Sequence, residues 1–173
     1  MPNLIAMRGA PGTGKSTIAR ALSRHRRWPV VDKDDIKDVL DNLMEAAGGP
    51  SYDVMARLVR RQLLLGLDVI CDSPLPGQTY ENLVNVAEET GATLIVLECR
   101  CPDEAVWRTR VEQRQSLSLP AHHTTTWGAV KACRARHAGT DDAVTGPHLV
   151  IDTSRPVAGL VIDVSRWLTQ LES

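Results

Sequence analysis

The chain alternates short apolar runs with longer stretches of helical period from one end to the other. Runs at Leu4 to Met7, Pro29 to Val31, Asp68 to Cys71, Thr93 to Glu98 and His148 to Ile151 predict five strands. They are mostly apolar along their whole length, the pattern of strands covered on both faces. Helical period is predicted over Lys15 to Arg24, Asp35 to Met44, Tyr52 to Leu65, Thr79 to Thr90, Asp103 to Arg114 and Val157 to Leu171. Gly66 and Gly91 stand where two of these helices should stop. The alternation predicts an α/β fold: a five-stranded parallel sheet, doubly wound, with helices on both faces. Residues 115–147 break the rhythm with Pro120, His122, His123 and a run of threonines, before and around a further helix near Trp127 to His137. An irregular excursion of that length inside a compact domain reads as a lid or binding loop. The expected organisation is a single domain over residues 1–173 with a lid region at about 108–140.

At 173 residues the chain suits one domain, long enough to bury roughly 70% of the surface its unfolded form exposes. Phenylalanine is absent, which leaves an aliphatic core with Trp28, Trp107, Trp127 and Trp167 as its few large pieces. A formal charge of −1 lacks the strongly basic balance of a dedicated nucleic-acid binder, so a nucleic-acid partner is admitted but not favoured. No run of about 18 apolar residues occurs, and the N-terminal stretch carries an arginine and glycines where a secretory signal needs its apolar centre. A soluble, cytoplasmic protein with no membrane partner is expected, and its oligomeric state is left open. Cys71, Cys99, Cys101 and Cys133 lack paired C-x-x-C spacing, so buried thiols are expected rather than a zinc site.

The chemistry begins at "GAPGTGKST", residues 9–17. Gly9, Gly14, Lys15 and Ser16 satisfy G-x-x-x-x-G-K-[ST], and the motif stands between an apolar strand and an amphipathic helix, as a P-loop requires. Glycines let the backbone N–H groups of Gly12, Thr13 and Gly14 turn around a phosphate, and the helix N-terminus adds its partial positive charge. Lys15 reaches the β- and γ-oxygens, Ser16 would ligate Mg²⁺, and Thr17 would meet the α-phosphate. Nucleoside triphosphate binding follows.

What happens to that phosphate depends on the rest of the chain. A GTPase would need N-K-x-D, and none of the four lysines follows an asparagine. A motor ATPase would carry an acidic pair at the end of its second core strand, where this chain has Asp72 followed by Ser73. Asp72 ends an apolar run, the place of a carboxylate that holds Mg²⁺ or its water, although "DSPLPG" also reads as a turn. In "VDKDDIK", residues 31–37, three carboxylates crowd just after a strand. A kinase needs one such group to accept the proton of an attacking hydroxyl. The other reading is a helix N-cap by Asp34 or Asp35.

Four pieces together resemble a family: "GAPGTGKST", the D-x-D of "DKDD", "WRTRVEQR" at 107–114 and "HLVIDTS" at 148–154. The chain is similar to the small P-loop kinases that phosphorylate hydroxyls, such as polynucleotide 5′-hydroxyl kinase, gluconate kinase, shikimate kinase and antibiotic phosphotransferases, with an AAA-type ATP-binding domain. The resemblance implies that Asp34 meets the acceptor hydroxyl and that Asp32 lies nearer the metal. "DKDDIK" looks most like the polynucleotide-kinase version, whose basic residue at the position of Lys37 helps bind the acceptor. Arg110 and Arg114, four apart on a predicted helix, share a face and correspond to lid arginines that close over the phosphates. Asp152 to Arg155 would lie beside the adenine, although Ser154, Arg155 and Pro156 also read as a helix start. His122 and His123 read as exposed loop residues. The function so implied is transfer of the γ-phosphoryl of ATP·Mg to a hydroxyl of a small-molecule acceptor. The alternatives are a polynucleotide 5′-hydroxyl kinase and, from another class, a nucleotide-binding regulator that hydrolyses slowly.

Overall fold

The computed structural model describes residues 1–75, 77–116, 125–137 and 144–172. Pro120, His122 and His123 lie outside the described residues, as does the side chain of Cys133. In chain order the elements are β1 (Asn3–Arg8), α1 (Lys15–Arg26), β2 (Val30–Asp32), α2 (Lys33–Leu40), α3 (Gly48–Leu64) and β3 (Val69–Asp72). They continue with α4 (Gly77–Thr90), β4 (Thr93–Arg100), α5 (Glu104–Ser116), α6 (Trp127–His137), β5 (His148–Asp152) and α7 (Val157–Glu172). The strands form one parallel sheet in the order β2-β3-β1-β4-β5.

β1 lies at the centre of this sheet, and Leu4, Ile5, Ala6 and Met7 are fully buried. Successive side chains of a strand point to opposite faces, so Ile5 and Met7 join one core cluster while Leu4 and Ala6 join another. The first cluster is closed by α1 through Ile18 and Leu22 and by α7 through Leu160, Val164 and Leu168. The second is closed by α3 through Met55, Val59 and Leu63 and by α4 through Leu83, Val86 and Ala87. Burial on both faces explains why β1, β3 and β4 read as apolar runs rather than as alternation, whereas the edge strands β2 and β5 are less covered. A smaller cluster of Cys101, Trp107, Val111 and Val130 joins α5 and α6. Trp107 is the tryptophan that is buried there, whereas Trp28, Trp127 and Trp167 are only partly buried and pack at the margins of the clusters. Cys71, Cys99 and Cys101 are buried free thiols. Among the described residues, no helix is long and apolar enough to cross a membrane.

The ends of β2 and β3 and both ends of α2 differ from expectation, in ways that matter to the site. β2 and β3 each run one residue further, and their last residues, Asp32 and Asp72, are register partners. α2 begins at Lys33 instead of Asp35 and stops at Leu40 instead of Met44. The Asp32 carboxylate accepts the Asp34 N–H at 2.9 Å, so the N-cap is Asp32 and neither Asp34 nor Asp35. One side chain thereby ends a strand and starts a helix, which leaves the next two carboxylates free of capping duty.

Candidate functional site

In an open parallel sheet the crevice beyond the carboxyl ends of the strands collects the ligand groups. Here that edge holds the loop after β1, the ends of β2 and β3, and the residue after β5. The loop 9–14 has the backbone that its glycines permit. Gly9 has φ +142°, and a Cβ there would stand 2.4 Å from the Cys99 carbonyl oxygen. Gly12 has φ +79°, and a Cβ there would stand 2.5 Å from Cγ2 of Val111. No other residue fits either position, for reasons of both conformation and space.

A cavity of about 540 Å³ opens above this loop. Of the residues singled out by sequence, Gly12, Gly14, Lys15, Ser16 and Thr17 line it, and so do Asp32, Asp34, Asp72, Arg110 and Arg114. The structure therefore brings the phosphate seat, the D-x-D carboxylates, the β3 carboxylate and Arg110 and Arg114 of α5 into one space. Thr13 lies behind the wall, 3% exposed, with its hydroxyl donating to the Ala10 carbonyl at 2.8 Å.

Lys15 Nζ donates to the carbonyls of Gly9 at 2.9 Å and Ala10 at 3.0 Å. Desolvation lowers its pKa, against the opposing pull of the Asp72 charge. Asp72 is 3% exposed, and burial raises its carboxyl against the Ser16 hydrogen bond and the Lys15 charge. Its Oδ2 is buried and has no hydrogen-bond partner among the described residues. Asp32, with a side chain 9% exposed, lies 3.5 Å from Arg20. Burial first, and then the charge of Asp72, push its carboxyl up to about 6. Arg114 is lowered by burial, while Asp34 and Asp72 pull it back up.

An orphaned carboxylate oxygen beside a serine hydroxyl is a set of hard oxygen donors, the chemistry Mg²⁺ selects. Among the described residues, no group of three or more His, Cys, Asp or Glu is placed to hold a metal by itself. The fit is to Mg²⁺ bound by one or two protein oxygens together with substrate phosphates, as is usual for that ion.

Three expected contributors stand elsewhere. Lys37 does not line the cavity; it is ion-paired with Asp41 one turn further along the chain. Asp152 accepts the Ser154 N–H at 2.9 Å and its hydroxyl at 2.6 Å, and Arg155 pairs with Asp163 at 2.8 Å. Neither lines the cavity, and the local helix-start reading of this segment describes their bonds. Each bonds instead to a partner nearby in the chain. Arg108 pairs with Glu112 at 2.7 Å on the exposed side of α5.

Other residues of the wall were not anticipated. Gln113, with Arg110 and Arg114, completes one face of α5, and Asp38 stands one turn beyond Asp34 and three residues beyond Asp35, which also lines the cavity. Helical spacing carried both signals. Arg20 stands four residues beyond Ser16 on α1 by the same rule. Thr153 lies inside the 152–155 segment expected beside the adenine, but no spacing pointed to its own role. It is 3% exposed, its hydroxyl donates to the Thr13 carbonyl at 2.6 Å, and its own carbonyl accepts from Arg110 Nη2 at 2.8 Å.

Comparison with solved structures finds the same fold. A protein of Chloroflexus aurantiacus J-10-fl superposes with a TM-score of 0.77 at 22% identity, covering 98% of this chain and 97% of that one. A sugar kinase from Janibacter sp. HTCC2649 gives 0.69 at 17%, covering 98% and 95%, and a gluconokinase from Sinorhizobium meliloti 1021 gives 0.63 at 17%, covering 98% and 93%. No curated protein sequence matches the chain. Residues 4–138, from the first strand to the end of α6, match the AAA domain family. With the P-loop geometry described above, which implies nucleotide binding, this match makes the chain a member of the AAA domain family of P-loop proteins.

Proposed function

We propose that the protein is an ATP·Mg-dependent phosphotransferase that moves the γ-phosphoryl group to a hydroxyl of a small-molecule acceptor. The observation that carries this reading is the placement of the Asp34 and Asp35 carboxylates in the same cavity as Lys15, Arg110 and Arg114. A protein that only binds or slowly hydrolyses a nucleotide has little need of the extra carboxylates in this cavity beyond those that hold the metal. A kinase has one: an acceptor proton must leave as the oxygen attacks phosphorus.

In this reading the P-loop N–H groups and Lys15 hold the β- and γ-phosphates. Ser16 and Asp72, with Asp32 close by, would hold Mg²⁺, which supplies charge neutralisation on the phosphate oxygens when bound. Arg110 and Arg114 approach from α5 and stabilise charge on the transferring group. Asp34 accepts the acceptor proton. Most of the catalysis is then positioning and electrostatics, as phosphoryl transfer requires.

Two points support a small molecule over a polynucleotide. The chain carries a formal charge of −1, and Lys37, the basic residue expected to grip a polynucleotide, is engaged by Asp41. Two similar folds belong to proteins described as a sugar kinase and a gluconokinase, in keeping with a small polyhydroxyl acceptor. The test is a screen of sugars, sugar acids, amino alcohols and 5′-hydroxyl oligonucleotides with γ-labelled ATP. Label on a low-molecular-weight hydroxyl compound is expected. Phosphate release that no hydroxyl compound changes would favour a regulatory ATPase and overturn the proposal.

A further inference from the structure

A P-loop that offers its N–H groups to an anion must turn its carbonyls away from it, and each buried carbonyl then needs a donor. Gly9 and Ala10 obtain theirs from within the motif, from Lys15 and Thr13. Pro11 and Thr13 obtain theirs from distant elements. Nε1 of Trp107, on α5, donates to the Pro11 carbonyl at 2.9 Å. The hydroxyl of Thr153, just after β5, donates to the Thr13 carbonyl at 2.6 Å, with the Arg100 carbonyl a second acceptor at 3.0 Å. Both donors are buried, 5% and 3% exposed.

The two donors are also tied to the lid arginine. Arg110 stands three residues after Trp107 on α5, and its guanidinium grips the Thr153 carbonyl at 2.8 Å. Val111 and Trp107 fill the space beside Gly12, where a Cβ would meet them at 2.5 and 3.2 Å. Behind, Trp127 stands edge-on to the Trp107 ring, with centroids 5.3 Å apart and planes at 84°. We infer that Trp107 and Thr153 are positioning residues that brace the P-loop from outside, hold the Pro11 and Thr13 carbonyls away from the phosphates, and lock Arg110 in register with the loop. The inference rests on the nucleotide-binding part of the proposed function and is independent of phosphoryl transfer.

The experiment is titration calorimetry of the full chain with AMPPNP·Mg and, separately, with inorganic triphosphate, alongside melting curves without ligand. Trp107→Phe removes the donor and keeps most of the ring, Thr153→Val removes the hydroxyl at equal volume, and Thr153→Ser retains it. Trp107→Phe and Thr153→Val are each expected to weaken both ligands by roughly 5- to 30-fold, the range for one donor lost from a buried or part-buried hydrogen bond. Thr153→Ser should bind and melt close to wild type, within about twofold in affinity, since its hydrogen bond survives, whereas Trp107→Phe and Thr153→Val should also melt lower, because each leaves a carbonyl without its donor in the unliganded fold. Full affinity in both Trp107→Phe and Thr153→Val would overturn the brace, even if melting temperatures fell. So would a loss for AMPPNP without one for triphosphate, because the disturbed contact would then lie at the base and not at the phosphates. Should Trp107→Phe not fold, the Thr153 pair decides alone: equal binding by Val and Ser overturns the inference. A wild-type protein that bound neither ligand would overturn the nucleotide reading itself, a result distinct from tight binding by every variant.

Discussion

Asp32, Asp34, Asp35 and Asp72 are like charges within one cavity, and their surroundings assign them different work. Asp32 caps α2 and is pushed up to about 6 by burial and by Asp72. Its folded-state pKa therefore lies above the unfolded value of about 3.9, so the folded protein holds more protons across that window. Stability without nucleotide or Mg²⁺ should fall as pH rises from about 4 to 6. Asp32→Asn, which retains a good capping side chain, should remove this part of the slope and melt higher than wild type above pH ~6. Melting curves of the two proteins from pH 4 to 8 check it; parallel profiles would count against the shifted carboxyl. In the proposed reaction Asp34 takes the acceptor proton, so Asp34→Asn should reduce single-turnover transfer by about 10² to 10⁴ while ATP affinity is retained. Neighbouring helical residues differ by about 100° in direction, so Asp35→Asn should cost far less. A larger loss at Asp35 would move the base to that residue, which also lines the cavity.

Each element of the site serves the core with one face and the cavity with another. α1 buries Ile18, Ala19 and Leu22, the i, i+1, i+4 stripe of an amphipathic helix, while Ser16, Thr17 and Arg20 face the cavity. The position of Lys15 and Ser16 thus depends on packing several residues away. Leu22 is fully buried in the cluster beneath the sheet, and Leu22→Ala should destabilise the protein by about 2 to 5 kcal/mol. In a denaturant titration the midpoint should drop with the slope unchanged; a loss below about 1 kcal/mol would mean that the site collapses around the smaller side chain. α5 divides its surface similarly, with Trp107 and Val111 against the P-loop, Arg110 and Arg114 toward the cavity, and Arg108 and Glu112 paired in solvent.

For the whole molecule, the acceptor's charge is the property to measure. A single-stranded polynucleotide held through several phosphates loses log K at about 0.7 per contact per decade of salt. An uncharged small acceptor has no such counterions to release, so its KM should stay flat between low and moderate salt; a steep slope would restore the polynucleotide reading. The parallel α/β fold, the P-loop and the carboxylates Asp32 and Asp72 close to two strand ends were all legible in the sequence, because each rests on local spacing. Apolar run length reports burial on both faces, glycine spacing reports backbone conformation, and a helical interval of three or four reports a shared face. That Lys37 pairs with Asp41 outside the cavity lining was not legible, because a basic residue at that spacing does not disclose a nearby carboxylate. Asp152 and Arg155 went the same way, to Ser154 and Asp163. Thr153 stood inside the 152–155 segment expected beside the adenine, but its service to the loop was invisible, because the carbonyl it serves, that of Thr13, is 140 residues away in the chain. Sequence by itself determined which residue types, in which elements, could hold a triphosphate and take a proton. The tertiary structure alone decided which charged side chains face the cavity and which turn to a neighbour, because a hydrogen bond or ion pair goes to the nearest unsatisfied partner in space.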